Sequence, residues 1–209
     1  MTLGEAPLAT RRDRERHQTR QAILEAARAI ATDEGWEAVT MRRLAERIEY
    51  SLPVLYTHFE NKAALVAELA RLGYHTLAER LRAARARVAD PEAAAVDLAR
   101  AYCNFAWGER DLYEAMHGLT GVPVDATDYR EAGAQALAEA RAALAAWADA
   151  RRVMIVDLED AVTILWSTLH GIAALALARQ MPGGKKRAIL LATRAVEDLL
   201  KAWLAVGWV

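Results

Sequence analysis

The sequence predicts an all-α protein of about nine helices, with a three-helix helix-turn-helix domain at its N-terminal end and a larger helical domain behind it. Three observations lead there. Alternating β-branched runs are absent, and Ala, Leu, Glu and Arg, all good helix formers, dominate. Cap and stop residues recur at helix-length intervals along the chain. Finally, 54% of the 209 residues are hydrophobic and 26% are charged, which supplies a core for one large or two small domains and excludes a disordered chain.

The elements follow in order. Residues 1–13 read as a disordered basic arm, and residues 11–20 carry five arginines against Asp13 and Glu15. A helix is expected from about Arg14 to Glu34, with Ile23, Ala27 and Ile30 on one face and Gly35 as its stop. Thr40 has the chemistry to cap "MRRLAERI", Ser51 to cap a short helix over "LPVLYTHF", and Asn61 to cap a long one with Leu65, Leu69 and Leu72 inward. In "ADPEA", Asp90 caps, Pro91 opens the helix and Glu92 meets the positive end of its dipole. That helix carries Leu98, Tyr102 and Phe105, and Gly108 separates it from a short helix over "ERDLYEAMH". After the loop "GLTGVPVDAT", a helix from about Asp128 to Ala148 points Leu137, Leu144 and Trp147 inward. Two last helices, about 157–180 and 185–206, flank "MPGG". The domain boundary is placed within the fourth helix, near Tyr74, giving residues 14–74 to the helix-turn-helix domain and 75–209 to the other.

One cysteine, Cys103, rules out a disulfide framework within the chain. The first twenty residues lack an apolar core of signal-peptide length, and the apolar stretch 161–178 holds Thr163, Ser167, Thr168 and His170. It reads as a buried helix, so the expected protein is soluble and cytoplasmic, with no membrane partner. The formal net charge of −1 leaves local distribution to decide on a polyanionic partner.

Residues 40–59, "TMRRLAERIEYSLPVLYTHF", give one helix, a turn of about three residues and a second short helix. That is the shape of a helix-turn-helix, whose second helix lies in the major groove of DNA. Leu44, Ala45 and Ile48 can pack on Leu55 and Phe59 and fix the angle between the helices. Leu52, Pro53, Val54, Tyr56, Thr57 and His58 are left nearer the surface. Exposed Tyr and His beside Lys62 suit phosphate oxygens, and Arg42 or Arg43 can bond the O6 and N7 of a guanine together.

The segment 20–65 resembles the DNA-binding domain of the tetracycline-repressor family of regulators, on the run "VTMRRLAERIEYSLPVLYTHFENKAAL". The resemblance implies that Thr40, Tyr56, His58 and Lys62 hold phosphates while Arg42, Pro53 and Tyr56 face bases. It departs from the family at Glu49, which stands where the family usually has Gly in the turn. A required positive φ there would strain Glu by about 1 kcal/mol.

In the larger part, Leu158, Val162, Leu165, Leu169 and Ile172 fall at alternating four- and three-residue steps, as do Ile189, Val196, Leu199 and Trp203 with Ala192 between. The first of these helices is apolar on more than one side, so the stripes are expected to form the interface of a homodimer. "WSTLHG" resembles the Trp-His-Gly type of C-terminal domain found in part of the family, on Trp166, His170 and Gly171. Trp107, Tyr113, Met116, His117, Trp147, Trp166 and His170 are candidate lining for a small-molecule site. Without an arginine cluster among them, the expected ligand is apolar or aromatic.

The resulting expectation is a ligand-responsive transcriptional repressor that binds a near-palindromic operator. No cofactor, metal or catalytic residue is expected. Glu114 and His117 have the spacing of a di-iron helix motif, but no second Glu-x-x-His accompanies them. A helical protein-interaction module is the other alternative.

Overall fold

The computed structural model describes residues 10–206. Among them are nine α-helices: α1 (Arg11–Glu34), α2 (Met41–Arg47), α3 (Leu52–Tyr56), α4 (Lys62–Arg87), α5 (Pro91–Gly108), α6 (Arg110–Met116), α7 (Arg130–Arg151), α8 (Leu158–Leu177) and α9 (Gly184–Val206). Two single 3₁₀ turns, Trp36–Ala38 and Ala126–Asp128, complete the described secondary structure.

The helix starts follow the caps. Asn61 Oδ1 accepts from Ala64 N at 2.9 Å, and Asp90 Oδ2 accepts from Ala93 N at 2.8 Å. At the front, α1 begins earlier than the expected Arg14. Thr10 and Asp13 bond reciprocally as a capping box, which draws Arg11, Arg12 and Asp13 out of the expected disordered arm and into the helix. The rest of that arm, residues 1–9, lies outside the described residues. Ser51 was expected to cap α3; its backbone takes the cap position, and its side chain makes no capping hydrogen bond.

The helix-turn-helix end packs Ile23, Ala27 and Ile30 of α1 against Leu44, Leu55, Phe59 and the start of α4. In the larger part, α4, α5, α7, α8 and α9 pack on one another, and α6 lies between α1 and α4. The expected boundary at Tyr74 therefore falls inside the continuous helix α4. Two expected inward residues point outward. Leu72 is exposed, while the neighbouring Gly73 meets Met116. Leu137 is also exposed, because α7 buries a seam of small residues, Ala132, Ala136, Ala140 and Ala143, that lets its neighbours approach closely.

α8 is long and apolar enough to cross a membrane by length and composition, with a mean hydropathy of 1.4. It packs one face on α5, α7 and α9, burying Ala161, Val162, Leu165, Leu169 and Ala173. Five of the nine expected interface side chains are thus committed to this chain's own core: Val162, Leu165 and Leu169 on α8, and Val196 and Trp203 on α9. A heptad-like stripe is satisfied by the nearest apolar surface, which here belongs to the same chain. Leu158, Ile172, Ile189 and Leu199 are half-buried. Among the described residues, nothing lies within 4 Å of where a Cβ on Gly171 would stand.

Candidate nucleic-acid interface and core ring cluster

α2 and α3 are joined by residues 48–51, and Tyr50 N donates to Ala45 O at 3.0 Å across the turn. Glu49 sits in this turn with φ +58°, the left-handed region where glycine is favoured. Leu44, Ala45, Leu55 and Phe59 are buried and set the angle between the two helices. This leaves Tyr56 49% exposed on the outer side of α3, with Pro53 and Thr57 exposed beside it and Leu52, Val54 and His58 half-buried.

The polar candidates differ in how far they are already committed. Arg42 is 85% exposed, and among the described residues it pairs with its own-helix neighbour Glu46, at 2.9 Å. Arg43 is tied to Glu34 at the end of α1 through both carboxylate oxygens. Thr40 Oγ1 accepts from Arg43 N at 3.2 Å, and Thr57 Oγ1 donates back to Val54 O at 2.7 Å. Lys62 Nζ donates to Trp36 O at 2.7 Å. Burial lowers its pKa, although Glu37 acts the other way. Burial, with the positive charges of Arg16 and Arg20, also holds the His58 imidazole below its ordinary range. Such a neutral ring can donate to a phosphate from one nitrogen.

Arg20 was not among the sequence candidates, yet it locks this end together. Its Nη1 donates to His58 O at 2.9 Å, its Nη2 pairs with Glu68 at 3.3 Å, and its guanidinium lies 4.2 Å from the centre of the Phe59 ring. Arg12 and Arg16 are exposed on the same helix at four-residue steps from it. That spacing was the available signal for a basic stripe on α1 rather than a basic tail.

The expected small-molecule residues separate into three places. Tyr113, His117, Trp166 and His170 belong to one ring cluster with Tyr102. His117 and His170 have ring centres 4.1 Å apart, Tyr113 and His117 4.6 Å, and Trp166 stands edge-on to Tyr102 at 5.2 Å. Tyr113 Oη and His170 Nδ1 share a hydrogen bond of 2.9 Å. Met116 packs beside this cluster against Gly73. Trp147 lies elsewhere, its ring 6.5 Å from that of Trp203. Trp107 lines a cavity of about 360 Å³ with Thr32, Gly35, Arg110, Asp111 and Glu114. Glu114 of the di-iron alternative pairs with Arg110 at 2.8 Å, while His117 turns into the rings.

Residues 23–69 match the family described as "Bacterial regulatory proteins, tetR family", and residues 95–199 match "Tetracyclin repressor-like, C-terminal domain". The tetracycline repressor protein class C of Escherichia coli is 47% identical over 51 residues, which cover 24% of this chain and 23% of that protein. The HTH-type transcriptional repressor KstR of Rhodococcus jostii is 44% identical over 71 residues, covering 34% of this chain and 32% of that protein. This chain thus spans about a quarter to a third of the length of these curated relatives. A solved structure of a protein with unknown function from Rhodococcus sp. RHA1 is 25% identical, covers 88% of this chain and 94% of its own, and superposes with a TM-score of 0.75. With one profile on the helix-turn-helix end and the other on half of the chain behind it, this protein belongs to the tetracycline-repressor family of bacterial regulatory proteins.

Proposed function

We propose that this chain is a ligand-responsive DNA-binding repressor of the bacterial cytoplasm, acting as a homodimer on a near-palindromic operator and released by a small apolar or aromatic effector. The observation that carries the reading is α3 itself. A helix of five residues adds little stability alone. Here it is held rigidly by Leu55 and Phe59 and presents Pro53, Tyr56 and Thr57 outward, with the exposed Arg42 on the helix before it. Short, rigid and outward-facing is what entry into a major groove requires. The names of the relatives above favour repression over activation.

Thr40, Tyr56, His58 and Lys62 are assigned to phosphates, and Arg42, Pro53, Tyr56 and the apolar Leu52 and Val54 to base edges. Arg43 is assigned to structure, since Glu34 holds it.

The dimer face is assigned to the outer sides of α8 and α9. Ile164, Thr168, Gly171 and Leu175 form one stripe along a flank of α8, and Leu191, Ala195, Leu199 and Ala202 one along α9; Leu175 and Ala202 are exposed and the others half-buried, with Ile164 and Leu199 also touching the core. Only 33% of the apolar window of α8 is buried within the chain, and Leu175 is 47% exposed. The reading makes no use of catalysis.

The test is a footprint on the DNA flanking the protein's own gene. A protected, two-fold related pair of half-sites about one helical turn apart or somewhat more is expected. Protection that is indifferent to sequence, or none, would return the chain to the protein-interaction alternative.

A further inference from the structure

Tyr102 Oη and His117 Nε2 are buried; among the described residues His117 Nε2 has no hydrogen-bond partner, and Tyr102 Oη lies beside the Tyr113 hydroxyl without a well-directed hydrogen bond. Native proteins rarely leave such groups unpaired without a reason. Both belong to one ring cluster: Tyr102 stands edge-on to Tyr113 at 6.4 Å, and Tyr113 lies against His117 and His170. The Tyr113 hydroxyl also shares a hydrogen bond with His170 Nδ1. Trp166, half-buried on α8, stands edge-on to Tyr102.

We propose that this cluster of Tyr102, Tyr113, His117 and His170 is the recognition point for the effector, an uncharged molecule with a hydroxyl or carbonyl group on an apolar ring body. The inference rests on the reading of the chain as a ligand-responsive regulator and names the chemistry of its ligand. A hydroxyl both donates and accepts, so it satisfies a neutral imidazole nitrogen of either tautomer and a phenol as well. A carbonyl accepts from the Tyr102 hydroxyl. The four side chains offer no formal charge to an ion. Burial, with the neighbouring His170, pushes His117 down to about 3, and burial lowers His170 too. Burial pushes both tyrosines up, so they stay protonated. A buried carboxylate or phosphate would therefore lack compensation, at high cost. The body of the ligand is recognised by ring faces and edges, which the cluster supplies on several sides.

The cluster also has a mechanical outlet. Met116, next to His117 in sequence, packs so closely on α4 that a Cβ on Gly73 would lie 2.6 Å from its sulfur. A ligand that parts His117 from its neighbours moves Met116 against the helix whose first residue is Lys62. It shifts the DNA-binding equilibrium to the extent that it binds the moved state better.

The test uses calorimetry on the full chain with four probes of one size: 2-naphthol, 2-acetylnaphthalene, naphthalene and 2-naphthoate. The two neutral polar probes are expected to bind more tightly than the hydrocarbon and the anion. Tyr102→Phe keeps the ring and removes the hydroxyl. It should weaken one or both polar probes about fivefold while leaving naphthalene unchanged, with a melting temperature equal to or above the parent's. His117→Phe serves as the second variant. Polar-probe binding indifferent to both substitutions, tighter binding of naphthoate, or no saturable binding of any probe up to its solubility limit would overturn the proposal. Duplex binding by the probe-free protein is measured separately. Its absence would sink the regulator reading while leaving the probe result standing.

Discussion

Arg28 of α1 and Asp111 of α6 join the helix-turn-helix end of the chain to the domain behind it: Arg28 Nε donates to Asp111 Oδ2 at 2.6 Å. Asp111 is 5% exposed and Arg28 32%. Arg28 Nη2 also reaches Glu109 at 2.6 Å, and Glu109 is held in turn by Arg80 of α4. Two cations and two carboxylates thus tie α1, α4 and α6 together. The two carboxylates raise the Arg28 pKa against the cost of its burial, so the guanidinium remains charged.

Removing Asp111 leaves that guanidinium without its principal partner. A broken buried pair costs about 3–5 kcal/mol, and solvent reaches Arg28 enough to reduce this. Asp111→Ala is expected to lose about 2 kcal/mol in urea unfolding. A loss within about 0.5 kcal/mol, the size of an ordinary surface pair, would make the network incidental.

Glu49 holds a left-handed conformation without being glycine. Glu49→Gly is expected to stabilise the protein by about 0.5–1 kcal/mol, the relieved strain less the added freedom of the unfolded chain. Removing a negative charge beside the phosphates should also raise affinity for any duplex. Thermal melts check the first effect and fluorescence anisotropy the second. A destabilised Glu49→Gly protein would mean that the turn relies on the glutamate side chain.

The folded-state pKa of His117 lies near 3, below the ordinary 6.5, because of burial and His170. The native state keeps this ring neutral while the unfolded state protonates it. Its contribution is therefore present above pH 6.5 and is lost progressively as pH falls from there toward 3. The slope approaches about 1.4 kcal/mol per pH unit per proton. His58 and His170 are lowered too and act in the same direction. Urea unfolding of His117→Phe between pH 7 and 4 should show a flatter profile than the parent. An unchanged slope would assign the acid sensitivity to other groups.

Much of this fold was legible in the sequence because it was written in local chemistry. Caps such as Asn61 and Asp90 and the break at "MPGG" act within a few residues, so element order and most bounds followed directly. The helix-turn-helix was legible for the same reason. What the sequence could not show were choices made between surfaces. Val196 and Val162 have the spacing of an interface, but spacing does not tell a partner chain from the chain's own α5 and α7. The aromatic candidates were pooled by type, whereas tertiary packing sent Trp147 to Trp203, Trp107 toward α1, and the two histidines to one another. His117, read as pocket lining, carries a buried nitrogen without a partner among the described residues. Hydrogen-bond satisfaction is a property of the folded molecule alone.

On DNA, Arg42 and Lys62 should behave differently. Arg42 is free to leave Glu46 for a base edge, so Arg42→Ala is expected to cost about 1–3 kcal/mol on the operator and relax preference at one base pair per half-site. Lys62 keeps one donor on Trp36 O and has two left for a phosphate. Lys62→Ala should weaken all sequences alike and lower the salt slope by about one per subunit. The check is binding over salt and single-base variants. Uniform weakening by Arg42→Ala would move Arg42 to the phosphate contacts.

The proposed dimer face can be separated from the core by charging one residue of each. Val196 is fully buried within the chain, so Val196→Glu places a carboxylate among apolar side chains and is expected to unfold the protein. Leu175 lies on the outer side of α8, one turn from the open position at Gly171, and touches the core little. Leu175→Glu should leave the melting temperature of the isolated subunit nearly unchanged, since exposed substitutions move stability by only about 0.5 kcal/mol. It should still give monomers in sedimentation equilibrium. Those monomers should lose operator affinity steeply, because two half-sites are then no longer read by one linked unit. A Leu175→Glu protein that remains dimeric and binds its operator normally would mean that the subunits meet through another surface.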